Sequence, residues 1–296
     1  MTMTMRLSGK RSAATTKPRS HTSLVGRAGR AVLWVWIVAS LVPLLFIVVT
    51  AFKPENIAKS IPPRWLFHPT LGNFKHVLVG GGGLSQGFDE LLTHSLIVTA
   101  ASTILSVAVS VPAAYAMSLK GFRPRKALSS WVLSTYMFPP IVAVIPVFIF
   151  AGNLNLIDTY WVLIVPYAAF NLPISVWILR AAILQIPYEV QESAMVDGAN
   201  RWVILRRIVG PLLGPTIATA AILSAILSWN EYLFALSLTR TAAKTAPVGE
   251  QEFTGMFGTQ WGSLTAGAAV IIAPILIMTL VLRRRIVSGL TLGAVK

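Results

Sequence analysis

The sequence predicts an all-α membrane protein, with six transmembrane helices and one cytoplasmic helix-turn-helix between the fourth and fifth. Three observations lead there. Six apolar stretches, roughly 31–52, 92–118, 127–151, 157–179, 212–238 and 264–282, are long enough to cross a bilayer, which takes about 20 residues. Hydrophobic residues make up 55% of the chain and charged residues only 12%, about half the share of an ordinary soluble domain. If the N-terminus is cytoplasmic, 19 of the 25 Lys and Arg fall in inner segments and seven of the ten Asp and Glu in outer ones. That is the positive-inside pattern, so the net charge of +15 reports topology and nucleic acid is excluded as a partner.

Residues 1–30 hold Lys10, Arg11, Lys17, Arg19, Arg27 and Arg30 among Ser, Thr and Ala, and read as a disordered basic cytoplasmic tail. The body of the chain, 31–296, begins with an apolar run from Ala31 to Phe52. It is too long for a signal-peptide core and ends at Lys53-Pro54-Glu55 without a small-residue cleavage site, so it stays as a span. The outer segment 53–91, with Pro54, Pro62, Pro63, Pro69 and Gly80 to Gly83, should be mostly irregular. Span two is rich in small residues from Thr99 to Ser118, which allows close helix packing. Every span contains proline: Pro43, Pro112, Pro139 with Pro140 and Pro146, Pro166 with Pro173, Pro215, and Pro274. Each proline frees a carbonyl, which is tolerated in a membrane where protein or water satisfies it, so the pattern leans toward a pathway through kinked helices.

Ile186 to Pro211 is the polar stretch around which the rest is arranged. Pro187 suits the first helical position, Gly198 a left-handed helix stop, and Asn200 the cap of a second helix. Val190, Ala194, Met195 and Val203 give such a knob apolar surface for a partner, and Glu192 and Arg201 add charge. Further on, Trp229, Asn230 and Glu231 place an amide and a carboxylate near the outer end of span five, as weak candidates for the substrate pathway. The loop 239–263 carries Glu250, Gln251, Glu252, Phe253, Phe257, Gln260 and Trp261, suited to gripping a partner or a sugar ring and equally to a solvated loop with an interfacial Trp. The last span closes at Arg283-Arg284-Arg285.

No Gly-x-x-x-x-Gly-Lys-Ser/Thr loop is present, since the one Gly-Lys pair, Gly9-Lys10, is followed by Arg11, so the chain does not hydrolyse ATP. Zero cysteines exclude disulfides, zinc-thiolate sites and a catalytic thiol. His21, His68, His76 and His94 are scattered, without metal-ligand spacing, so no catalytic residue and no metal site is assigned. An ion-coupled secondary carrier usually holds ionisable residues inside its spans, and Glu231 is the one acidic candidate. A carrier without its own motor takes force from outside, through the cytoplasmic stretch. The competing readings are that ion-coupled carrier, a scaffold or receptor whose loop recruits a partner, and a loop that merely folds over the cytoplasmic face.

Glu192-Ser193-Ala194, Gly198, Ile208 and Pro211 resemble the Glu-Ala-Ala … Gly … Ile-x-Leu-Pro loop of binding-protein-dependent ABC permeases, with Ser193 and Gly210 departing from it. Gly72-Asn73-Phe74, His94 to Val98, Pro112 to Ala116, Leu156 to Thr159, Ile186-Pro187, Trp229 to Tyr232 and Gly289 to Lys296 narrow the resemblance to the smaller, six-span subunit of maltose-type carbohydrate permeases. The resemblance implies a bacterial inner-membrane protein with both termini cytoplasmic, paired with a second permease subunit and two ATP-binding-cassette ATPase subunits. It further implies an extracytoplasmic sugar-binding protein or lipoprotein. ATP and Mg would sit on the ATPase, with no cofactor in this chain. Glu192, Ser193, Ala194, Asp197, Gly198, Ile208 and Pro211 would form the ATPase-coupling loop, Gln260 and Trp261 would meet the binding protein, and Gly289 to Lys296 would reach the ATPase dimer. Thr245 to Val248 followed by Phe253-Thr254-Gly255 resembles actinobacterial trehalose permeases, which implies a disaccharide such as trehalose or maltose. Polyol and glycerophosphate importers share the scaffold.

Overall fold

A computed structural model describes residues 24–79, 86–121, 123–255 and 258–291. The expectations for residues 1–23, for Gly80 to Gly83, for Phe257 and for the last five residues lie outside them. By its contacts the chain divides into two units, 1–46 and 47–296.

In order, the helices are α1 (Leu24–Ala51), α2 (Glu55–Ala58), α3 (Gly72–Val79), α4 (Phe88–Ser118), α5 (Arg125–Tyr136), α6 (Pro140–Asn153), α7 (Tyr160–Ile183), α8 (Tyr188–Val196) and α9 (Arg201–Ile204). A π turn, Leu205–Val209, leads into α10 (Gly210–Leu212), α11 (Gly214–Trp229), α12 (Leu233–Leu238) and α13 (Ala246–Gly249). A 3-10 turn (Glu250–Phe253) and a two-stranded ribbon, β1 (Thr254–Gly255) against β2 (Gly258–Thr259), precede α14 (Trp261–Thr291).

The protein is helical, as expected, but its crossings are of two kinds. Among the described residues, four helices, within α1, α4, α7 and α14, are long and apolar enough to cross alone. Two bent pairs of helices pass the same test only when each pair is taken as one span: α5 with α6 at 88°, and Arg201–Leu212 with α11 at 79°. The expected third span, 127–151, is therefore broken. Pro139 and Pro140 cannot donate amides to continue α5, and Pro140 instead opens α6. Two arms of about 18 and 21 Å at near-right angles have ends about 28 Å apart, close to the roughly 30 Å hydrocarbon layer.

The fifth span is shorter than the expected 212–238. The helix ends at Trp229, and Glu231 starts a separate helix by accepting from the N–H of Phe234 at 2.9 Å and of Ala235 at 3.3 Å. Pro215 sits in the first turn of α11, where a missing N–H breaks no bond, rather than kinking it. Pro43, Pro112, Pro146, Pro166, Pro173 and Pro274 lie inside continuous helices. Pro187 caps α8 from just outside, one position earlier than expected.

The core is the contact of α4 with α7 and α11. The half away from the 186–211 stretch gathers Val98, Leu163, Tyr167, Phe234 and Leu238; the half next to that stretch gathers Tyr115, Val176, Leu179, Ile204 and Leu213. Small hydroxyl residues let these helices approach. Ser102, Ser106 and Ser110 on α4, Ser175 on α7, and Ser224 and Ser228 on α11 are all buried. The outer segment has more order than expected, because the Asn73 amide donates to the carbonyls of Ala51 at 2.7 Å and Lys53 at 2.8 Å, tying α3 to the end of α1.

Candidate functional site

The stretch 186–211 forms a compact knob whose shape comes from local bonds. Helix α8 stops at Val196, and Gly198 follows with φ +83°, a conformation that glycine adopts without strain. The Gly198 N–H donates to the Met195 carbonyl at 3.1 Å and the Ala199 N–H to the Ala194 carbonyl at 2.9 Å, the double bond of a Schellman end. Two residues on, the Asn200 side-chain oxygen accepts from the Val203 N–H at 2.9 Å and caps α9.

One face of the knob is held to the bundle. Gln191 is buried and its Oε1 accepts from the Tyr115 hydroxyl of α4 at 3.5 Å. The Lys120 ammonium stacks over the Tyr188 ring at 3.6 Å, and Ile186, Ala194 and Ala199 pack on the adjoining half of the core. The other face is open. Glu192, Ser193, Asp197, Gly198, Arg201 and Pro211 are exposed, with Ile208 half-buried. Among the four expected apolar contacts, Val190 and Met195 are exposed while Ala194 and Val203 are half-buried. The larger apolar surface is one that sequence reasoning passed over: Val196 is 83% exposed and Trp202 64%. Trp202, two residues after the capping Asn200, carried the signal that a helix this short cannot bury a face of its own.

The π turn that joins the knob to α11 explains both Gly210 and Pro211. Pro211 has no N–H and crowds the preceding turn, which the helix relieves by widening. The Gly210 N–H then reaches the Leu205 carbonyl, and any Cβ at 210 would lie 2.9 Å from that oxygen. The departure from Leu at this position is thus what the wider turn requires.

Trp229, Asn230 and Glu231 have distinct placements. Trp229 is buried, with its indole N–H donating to the Ile271 carbonyl of α14 at 3.1 Å. Asn230 is exposed and its amide returns to the Ile226 carbonyl. Glu231 caps α12 and also lines a cavity of about 70 Å³ with Tyr167, Asn171 and Ser228. Beneath it runs a polar seam: Asn171 donates to Ser228 Oγ at 2.8 Å, Ser102 to Ser228 at 3.0 Å, and the Ser175 and Ser224 hydroxyls meet at 3.0 Å.

The loop 239–263, expected to be an outer loop, is fixed by distant parts of the chain. Asp158, at φ +62°, accepts from the backbone N–H groups of Arg240, Thr241, Ala242 and Ala243 at 2.8–3.2 Å. Burial alone would raise its pKa, but the four N–H donors outweigh that and hold it at about 2. On α4, His94 Nδ1 lies 3.0 Å from the Lys244 carbonyl and Ser95 Oγ accepts from the Ala246 N–H at 2.8 Å. Lys244 pairs with Glu252, and burial pushes the Glu250 carboxyl up. Phe253, expected as a contact residue, is instead buried against Phe88 with centroids 6.2 Å apart. Gln260 lines a polar outer cavity of about 540 Å³ with Glu55, Lys59, Asn73 and His76, and Trp261 beside it is 48% exposed. Among the described residues, no group of His, Asp and Glu is arranged to hold a metal ion.

Comparison with known proteins bears on this architecture. Residues 106–290 match the family described as binding-protein-dependent transport system inner membrane component. The chain is 38% identical to the trehalose transport system permease protein SugB of Mycobacterium tuberculosis, over 87% of this chain and 93% of that one. It is 36% identical to the trehalose/maltose transport system permease protein MalG of Thermococcus litoralis, over 86% and 91%. A chain of a bacterial ABC transporter involved in the import of the acidic polysaccharide alginate superposes with a TM-score of 0.73 at 22% identity, covering 90% of this chain and 98% of that one, which speaks for the fold. With the knob, the bent crossings and these likenesses together, the chain belongs to the binding-protein-dependent inner membrane component family, the permeases of ABC transporters.

Proposed function

We propose that this chain is one half of the channel of an ATP-driven sugar importer of the bacterial inner membrane, with both termini cytoplasmic. It pairs with a second, different permease chain and rests on two ATPase subunits that bind ATP and Mg. An extracytoplasmic binding protein delivers a sugar, in the first instance a disaccharide such as trehalose or maltose. The observation that carries this reading is the knob at 186–211: a rigid, doubly capped turn whose open face offers Val190, Met195, Val196 and Trp202 beside Glu192, Asp197 and Arg201. Such a shape suits a groove on a partner, and its short link to α11 turns partner closure into helix movement. Ser193, Ala194, Ile208 and Pro211 belong to the same coupling surface. At the other end, Gln260, which lines the polar cavity, and the adjacent, half-exposed Trp261 are assigned to the binding protein.

The test is reconstitution of the chain with its co-expressed neighbours in lipid. Uptake of labelled trehalose or maltose that needs ATP inside and the binding protein outside is the expected result. Uptake that runs on a proton or sodium gradient without ATP would replace this reading with the secondary carrier, and ATP-dependent uptake confined to polyols or glycerophosphate would reassign the substrate.

A further inference from the structure

The break in the third crossing opens a cleft of about 430 Å³ between α5 and α7, which none of the expected site residues lines. It is lined by Trp131, Phe138 and Phe170 together with Ser134 and Thr135, whose hydroxyls donate to the Ser130 and Val132 carbonyls at 2.8 and 2.7 Å and keep oxygen lone pairs free to accept. The backbone there is unusual for a membrane interior. The Tyr136 carbonyl has Pro139 and Pro140 as its third and fourth following residues, and neither has an N–H to give it. On the facing helix the Ala169 carbonyl loses its fourth-residue donor to Pro173, and both residues line the same cleft. With arms of 12 and 14 residues on either side, the break falls near the middle of the crossing.

Carbonyls without donors at that depth are tolerated against protein or a water-filled space and not against lipid tails. Flat aromatic faces beside hydrogen-bond acceptors suit one chemistry well: a pyranose ring, whose C–H face stacks on an aromatic ring while its hydroxyls donate outward. Among the described residues no ionisable side chain lines the cleft, and Phe170 lines both it and the smaller cavity that Glu231 lines. An anionic solute would meet no cation there and one carboxylate nearby.

Building on the sugar-importer reading, we propose that the α5–α6 break is a sugar subsite contributed by this subunit, and that it takes a neutral sugar ring in preference to an anionic one.

The chain has no cysteine, so Ser134→Cys gives it one thiol at the cleft edge. In the assembled complex, a membrane-impermeant charged maleimide is followed by the mass of this chain. The expected result is labelling that the transported disaccharide slows and glycerol 3-phosphate does not. Phe138→Ala should raise the KM for uptake about tenfold, equivalent to about 1.4 kcal/mol, and leave kcat within about twofold, while Phe138→Tyr keeps the ring and restores KM. A thiol that stays unlabelled in both resting and vanadate-trapped complexes means lipid or the second permease covers the break, and overturns the proposal. Labelling unaffected by sugar, with uptake intact, also overturns it and leaves the importer reading standing. A complex that labels but moves none of the sugars overturns the importer reading and the subsite with it.

Discussion

The knob at 186–211 and the loop 239–263, expected on opposite sides of the membrane, are similar in length and opposite in construction. The knob is closed by bonds between residues three to five apart: Gly198 to Met195, Ala199 to Ala194, Val203 to Asn200. The outer loop is closed by Asp158, 82 to 85 residues before its partners, by His94 and Ser95 from about 150 residues away, and by Glu55, whose Oε2 accepts from the Gly262 N–H 207 residues later. A locally closed element moves as a unit and keeps its shape while a partner pushes it. A loop latched to three separate elements instead reports whether those elements hold their relative positions.

The comparison can be sharpened from the larger effect to the smaller. Gly210→Leu places a side chain against the Leu205 carbonyl at the joint between knob and α11, and overpacking of this kind costs about 1–3 kcal/mol. It should lower the melting temperature of the purified complex and raise protease cleavage near 205–213 while leaving the outer loop intact.

Asp158→Asn keeps a residue that accepts positive φ but removes the charge that four N–H groups address. The expected loss is about 1–2 kcal/mol, allowing for partial exposure, read as faster nicking of 239–245 by an external protease. The folded carboxyl at about 2 lies below its ordinary 3.8, so the charge-dependent part of the latch is complete above about pH 4 and is lost as pH falls through about 2. Protection of the outer loop in the native protein should fade over that window, and in Asp158→Asn it should not depend on it.

Asn200→Ala removes the α9 cap and should cost about 1 kcal/mol, seen as exchange of the amides around Val203 without change outside the membrane. Ser228→Ala in the polar seam should cost least, about 0.6 kcal/mol, because a helix pair in lipid finds alternative partners. A thermal shift larger than that of Gly210→Leu would show the seam, rather than the joint, to be the stiff part.

The same contrast separates what was legible in the sequence from what was not. Gly198 and Asn200 announced the knob because the residues that shape it lie within a few positions of one another. The four single-helix crossings were equally plain, since apolar length decides them. The break at Pro139-Pro140 was legible only as a kink, because an 88° turn depends on what α7 offers opposite it. Asp158 stood in view within Leu156 to Thr159, but its role depends on a loop about eighty residues later, and no local pattern encodes that. Phe253 and Glu231 were misjudged for the same reason: one is core against Phe88, and the other begins a helix that apolar run length had merged into span five.

The central claim is that the knob transmits the ATPase cycle to this chain. The most direct measurement is ATP hydrolysis and sugar uptake by the reconstituted complex, stimulated by binding protein and sugar, for wild type and Gly198→Pro, with subunit stoichiometry determined alongside. Proline cannot adopt φ +83° and leaves every charge in place. The account predicts that the variant loses stimulation and uptake by tenfold or more, about 1.4 kcal/mol at the least, or loses the ATPase subunits altogether. A variant complex that assembles, hydrolyses and imports at the wild-type rate would contradict it.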